Sequence, residues 1–106
     1  MSSRKPLPLQ LSPQAEEDIV DILAYTQMTW GEVQVETYLE KIQKALATIA
    51  DNFELGHGRS DLPSTHLAYL VGSHVIVYRA MPNKAHAETI GVFRILHQRM
   101  SLARHV

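Results

Sequence analysis

Apolar residues in this chain change spacing as it proceeds, and each change marks an element. Leu7, Leu9 and Leu11 alternate with Pro8 and Gln10, a period of two that predicts a short strand; Pro8 confines it to a sheet edge or to the strand's beginning. From residue 13 the spacing becomes helical, with Ala15, Ile19, Ile22, Leu23 and Thr26 on one face. Ser12 and Pro13 open that helix: Ser12 caps free backbone N–H groups, and Pro13 takes the first position, where no N–H is needed. Gly31 is expected to stop it, and Trp30 to pack, buried, at the turn. A second helix, roughly 32–52, carries the stripe Val35, Tyr38, Leu39, Ile42, Leu46, Ile49 and Phe53, with Glu36, Glu40 and Lys44 on the wet side. So short a break between two amphipathic helices predicts an antiparallel hairpin.

Residues 54–66 read as loop. Three strands follow, at 67–71, 74–80 and 88–97, the first two joined by a two-residue turn with Gly72 at its first position. Residues 81–87 read as a turn, 1–6 as a loose tail, and the last residues as one helical turn or a mobile end. The order β-α-α-β-β-β predicts a single α+β domain over 1–106, a helical hairpin packed on one face of a mostly antiparallel sheet.

Two helices cover one face of a sheet, and an open second face should read polar. Here both faces read apolar. Val75 and Val77 point one way, Ile76 and Tyr78 the other; Ile90, Val92 and Leu96 are expected on one face, Phe93 and Ile95 on the other. Either a partner supplies the missing lid, or the C-terminal segment folds back through Met100 and Leu102. The patterning favours a partner, with Ile76, Tyr78, Phe93 and Ile95 as its expected contacts.

The chain has 106 residues, too few for a deep cleft between lobes. It has no cysteine, which excludes disulfides, thiolate catalysis and Cys-ligated zinc. Its net charge of −1 offers no global attraction to nucleic acid, and direct binding to it is not expected. No segment reads as a signal peptide or membrane span, so a cytoplasmic protein is expected. The six histidines lack metal-ligand spacing, Gly56-His57-Gly58 is a turn and not a phosphate cradle, and no nucleophile elbow occurs; no catalytic residue, metal or cofactor is expected. Glu16, Glu17 and Asp18 read as acids at a helix's positive end. A small basic cluster ends the chain: Arg94, His97, Arg99, Arg104 and His105.

In order along the chain, Leu11, Ala15, Asp18, Ile19, Ile22, Tyr25 and Trp30-Gly31, then Tyr38-Leu39, Gly56, Gly58-Arg59 with Asp61-Leu62, the hairpin Gly72–Arg79 and the closing Ile95-Leu96-His97-Gln98-Arg99-Met100 resemble the ParE branch of the RelE/ParE toxin superfamily. That resemblance implies a non-enzymatic toxin that binds DNA gyrase and traps it on cleaved DNA. It also implies a hetero-oligomer with a ParD-like antitoxin, whose tail would be the missing lid. On this reading His97, Arg99, Met100 and Arg104 are the expected gyrase contacts. Met100 would be an adaptable anchor beside arginines presented at a strand's end. The rival within the superfamily is a RelE-type ribosome-dependent mRNA endoribonuclease, which needs several cations at the scissile phosphate and a Tyr or His for proton transfer. This chain offers Arg79, Arg94, His97 and Arg99, but no lysine after Lys84 and no tyrosine after Tyr78.

Overall fold

Ser12 starts the first helix by accepting a hydrogen bond from the Ala15 amide at 3.0 Å, and its hydroxyl donates to the Phe93 carbonyl at 2.7 Å. One serine thus caps the helix and ties it to the last strand. The computed structural model describes residues 6–82 and 88–105. Its elements are β1 (Leu9–Leu11), α1 (Pro13–Trp30), α2 (Glu32–Asp51), a 3-10 turn (Phe53–Leu55), β2 (Leu67–Val71), β3 (His74–Pro82), β4 (Glu88–His97) and the short α3 (Leu102–His105). Most of the expected 81–87 turn and nearly all of the 1–6 tail lie outside the described residues. Gly31 adopts φ +91°, a region that favours glycine, and lets the chain reverse between α1 and α2.

The sheet order is β1-β4-β3-β2, parallel between β1 and β4 and antiparallel elsewhere. β1 lies at an edge, where Pro8 can sit: its carbonyl accepts the Ile90 amide at 2.8 Å. Gly72 takes φ +56° in the β2–β3 turn, and a β-carbon there would overlap the Tyr38 ring. The architecture is therefore the expected α+β one, a helical hairpin on a four-stranded mixed sheet.

The main core lies between hairpin and sheet. Ala15 and Ile22 from α1 and Ile42, Ala45 and Ile49 from α2 meet Val71, Ile76, Tyr78, Ile90, Val92 and Ile95 from the sheet. Each fully buried isoleucine contributes about 1.5–3 kcal/mol of hydrophobic stabilisation. Tyr78 is fully buried, and its hydroxyl is satisfied twice: it donates to the Phe53 carbonyl at 2.6 Å and accepts the Gly56 amide at 2.8 Å. That pins the chain as it leaves α2. A β-carbon at Gly56 would collide with the Tyr78 hydroxyl.

Three expectations are corrected here. First, Ile76, Tyr78 and Ile95 do not form an open face; they lie buried beneath the helices. Phe93 does not join them. The β3–β4 register shifts between Val77, opposite Arg94, and Tyr78, opposite Val92, so Phe93 is the extra residue of a β-bulge, and its ring lies against His66. The bulge also puts Ile90, Val92 and Ile95 on one face, which strict alternation forbids, and sends Leu96 to the other. Second, the outer face has a cover within the chain: Ala68, Val75, Val77 and Leu96 are buried together with Leu62 of the loop and Leu102 of α3. Of the two C-terminal residues named for the alternative, a lid from within the chain, Leu102 folds back at 1% exposure, while Met100 remains 48% exposed. Third, Trp30 is not packed into the turn; it is 72% exposed.

Candidate functional site

The exposed large apolar side chains concentrate at the tip of the helical hairpin. Tyr25, Met28, Trp30 and Val33 are each 67–88% exposed. Tyr25 and Met28 lie off the stripe that α1 buries, so the helix carries apolar residues on a second face that touches no core.

Below the tip is a cleft of about 300 Å³ lined by Tyr25, Thr26, Trp30, Gln34, Tyr38, Ser73, His74 and His97. Local chemistry brings these together. His74 opens β3 immediately after the turn, and His97 ends β4 directly opposite it. Their rings meet edge to face with centroids 5.3 Å apart. Tyr38 reaches over from α2: its hydroxyl accepts the Ser73 amide at 3.2 Å, contacts His74 Nδ1, and lies 3.3 Å from the Val71 carbonyl. Burial and the neighbouring His97 push the His74 pKa down, with Asp18 opposing them weakly. Burial likewise raises the Tyr38 pKa, so its proton stays on oxygen at neutral pH.

A second concavity shares His74 and His97 and continues past Asp18, Asp21, Arg94, Met100 and His105. Its charges are largely internal. Arg94 forms a two-pronged pair with Asp18, at 2.8 and 3.0 Å, and Asp18 also accepts the Ile95 amide at 2.9 Å. The Ile95 amide lies on the edge of β4 beyond the reach of β1, so Asp18 satisfies an edge donor as well as an arginine. That role differs from the helix-terminus role the acidic run suggested.

Of the expected gyrase contacts, the fold brings His97 and Met100 together on this second concavity, while Arg99 and Arg104 are exposed. The Arg99 amide donates to His97 Nδ1 at 3.1 Å, which fixes the ring. The reading of the sequence missed Tyr25, Gln34, Tyr38 and His74. Tyr25 and Met28 carried a signal, being large apolar residues off the core stripe; the pairing of His74 with His97 had none until the strands were in register. Among the described residues, no group of three His, Asp or Glu could hold a metal ion, and no helix is long and apolar enough to cross a membrane.

Residues 9–102 match the family model described as the ParE toxin of the type II toxin-antitoxin system, parDE. The chain belongs to the ParE toxin family. Among its relatives, Toxin ParE1 of Mycobacterium tuberculosis is 33% identical over 96 residues, covering 91% of this chain and 94% of the relative. Toxin ParE1 of Caulobacter vibrioides is 29% identical over 99 residues, covering 93% and 97%. The fold is similar to that of a chain in the solved structure of a chromosomal ParDE system from P. aeruginosa, with a TM-score of 0.70, 15% identity, and coverage of 86% of this chain and 95% of the other. This ParE-family chain is thus the toxin component of a type II toxin–antitoxin system, and the cleft and open hairpin tip belong to a protein whose family pairs with an antitoxin.

Proposed function

We propose that this toxin acts by binding DNA gyrase in the cytoplasm, without catalysing a reaction, and is neutralised by a ParD-like antitoxin. The observation that carries this reading is family membership over nearly the whole chain, with 94–97% of the relatives' own length covered. The charge arrangement agrees with it. An RNA-cleaving site needs free cations converging on a phosphate, and Arg94, the cation on β4 beside the cleft, is already neutralised by Asp18. The open apolar tip supports a protein partner, since exposed patches of this kind mark interaction surfaces.

One observation favours the second reading, a RelE-type endoribonuclease. Tyr38, His74 and His97 converge on one cleft, and a pair of imidazoles can serve as acid and base. The two readings separate in a single comparison. Purified toxin added to gyrase should block supercoiling and accumulate cleaved DNA, while mRNA in a translating extract stays intact. Codon-phased mRNA cleavage that disappears in His97→Ala, with supercoiling unaffected, would reverse the assignment.

A further inference from the structure

The outer face of the sheet holds a cation that the described chain leaves unanswered. Along β3, Val75 and Val77 face outward and Ile76 and Tyr78 inward, so alternation puts Arg79 and Met81 on the outer face. Arg79 stands opposite Gly91 of β4. On its other side, one residue beyond the Leu67–Tyr78 pair, stands His66. The His66 and Phe93 rings come from opposite sides of β3 and meet with centroids 5.2 Å apart, above the strand where Arg79 leaves it. Arg79 Nε is buried, and among the described residues it has no hydrogen-bond partner. Among those residues the guanidinium forms no ion pair either. Neither neighbour supplies a counter-charge. Gly91 has no side chain. Burial, and secondarily Arg79 itself, push the His66 pKa down, which keeps that ring neutral at pH 7. A charged donor withdrawn from water is costly unless an acceptor meets it.

Beside Arg79 lies a concavity of about 310 Å³ whose walls include Gln10, Leu11, Met81, Gly91 and Phe93. It shares with Arg79 the cross-strand partner Gly91 and the strand neighbour Met81, whose thioether lies over Gly91. No charged residue lines it, and its one hydroxyl, that of Ser12, is already spent on the Ala15 amide and the Phe93 carbonyl. We propose that Arg79 and this hollow bind an amphipathic monocarboxylate, with the carboxylate on the guanidinium and the apolar body along Met81 and Phe93. The site lies on the face opposite the helical hairpin and is independent of the gyrase and antitoxin readings. Each part of the choice has a cause. One uncompensated charge calls for one counter-charge. A planar carboxylate meets the arginine fork with two parallel hydrogen bonds, through Nε and one Nη. Both covering rings are only partly buried, so a rotamer step of Phe93 uncovers Nε. His66 adds a neutral donor: when its Nδ1 accepts from the Thr65 hydroxyl, at 2.9 Å, its proton sits on Nε2. A phosphate dianion or a nucleic-acid strand brings further negative charge that no second cation here answers. The uncharged walls select an apolar body.

The test is titration of the isotope-labelled full chain with phenylacetate, read by nuclear magnetic resonance at the arginine Nε–H signals. The Arg79 signal should shift and saturate. Phenylacetamide, the same body without the charge, should bind about tenfold more weakly, because a charge-assisted pair is replaced by a neutral one. Acetate, the charge without the body, should also bind more weakly, since it buries no ring. Arg79→Lys keeps the charge and loses the fork, and should weaken phenylacetate about tenfold while its backbone amide spectrum stays that of the folded chain. An Arg79 Nε–H signal that does not move at saturating phenylacetate overturns the proposal, and that reading requires no variant to fold. Phenylacetamide binding as tightly as phenylacetate overturns it as well and leaves an apolar hollow without an anion site. Inorganic phosphate or a short DNA duplex that shifts the Arg79 signal at lower concentration than phenylacetate overturns the choice of a carboxylate and reassigns Arg79 to phosphate.

Discussion

Two apolar surfaces outside the main core meet opposite fates. On the outer sheet face, Val75, Val77 and Leu96 lie under Leu62 and Leu102, all nearly inaccessible. At the hairpin tip, Tyr25, Met28, Trp30 and Val33 stand open. Both surfaces are apolar, the sheet face aliphatic and the tip carrying two aromatic rings, a methionine and a valine. The difference is reach: the 54–66 loop and the C-terminal residues return over the sheet, whereas among the described residues no segment returns over the α1–α2 turn. A surface the chain can cover becomes core. One it cannot cover is available to a partner.

That contrast is broken most directly at Leu102. Leu102→Ala should destabilise the free toxin by about 2–5 kcal/mol, because a fully buried leucine leaves a cavity that its neighbours fill only in part. Trp30→Ala at the open surface should change folding stability by less than about 0.5 kcal/mol, as is usual for exposed positions. Denaturant titration of the two variants side by side reads both numbers. Equal losses would mean that the tip is core in solution and would erase the distinction.

Asp18→Ala comes next. It removes the partner of Arg94 and the acceptor of the Ile95 amide together. A fully buried pair broken in this way costs about 3–5 kcal/mol. Both side chains here keep some exposure, at 12% and 19%, so a loss of about 2 kcal/mol is expected. Asp18→Asn should recover part of it by restoring an oxygen to Ile95. If Asp18→Ala unfolds at the wild-type denaturant midpoint, the pair adds nothing to the join between α1 and β4.

These two residues also show what was legible in the sequence. Element order, the hairpin, the Gly31 and Gly72 breaks and the edge position of β1 all follow from local chemistry: period, capping, and the conformations open to glycine and proline. The faces of β4 did not follow, because a bulge at Phe93 changes their parity and depends on which residue of β3 lies opposite. Asp18 looked like an ordinary helix-start acid because its partners, Arg94 and the Ile95 amide, are 76 and 77 residues away. Trp30 was placed inside on size alone, yet among the described residues nothing covers it at the turn. The His74–His97 pair was invisible for the same reason as the bulge: strand register, not sequence proximity, brings the rings together.

A smaller effect is expected from pH on the free toxin. The His74 pKa is lowered in the folded state, chiefly by burial. The unfolded chain, titrating near 6.5, therefore binds the proton more readily. Stability from this group is complete above about pH 6.5 and declines as pH falls towards the folded-state value. The melting temperature of the free toxin should drop over that window, and His74→Gln should drop less. A wild-type melting profile that rises on acidification would contradict the burial of His74.

The smallest effect on folding, and the most informative for function, is expected at Arg99 and Arg104. Both are exposed, and among the described residues neither guanidinium forms an ion pair. Arg99→Ala and Arg104→Ala should each leave the unfolding midpoint within experimental error, since exposed charges contribute little to folding. Their position gives them another use. They flank Met100, which is 48% exposed although Leu102, two residues on, is fully buried. The tail is therefore anchored by one side chain while presenting an apolar residue and two cations from a fixed scaffold. If the toxin engages gyrase through this segment, the double variant should lose supercoiling inhibition while still binding the antitoxin. If the antitoxin engages the open hairpin tip, its binding should then depend on Trp30 and not on the arginines. The outcome that separates the surfaces is a cross-comparison: arginine variants defective against gyrase alone, and Trp30→Ala defective against the antitoxin. If the arginine variants inhibit gyrase as wild type does, the C-terminal segment is not the toxic surface. The 54–66 loop, whose Arg59 is already paired with Asp61 at 2.9 Å, would be the next place to mutate.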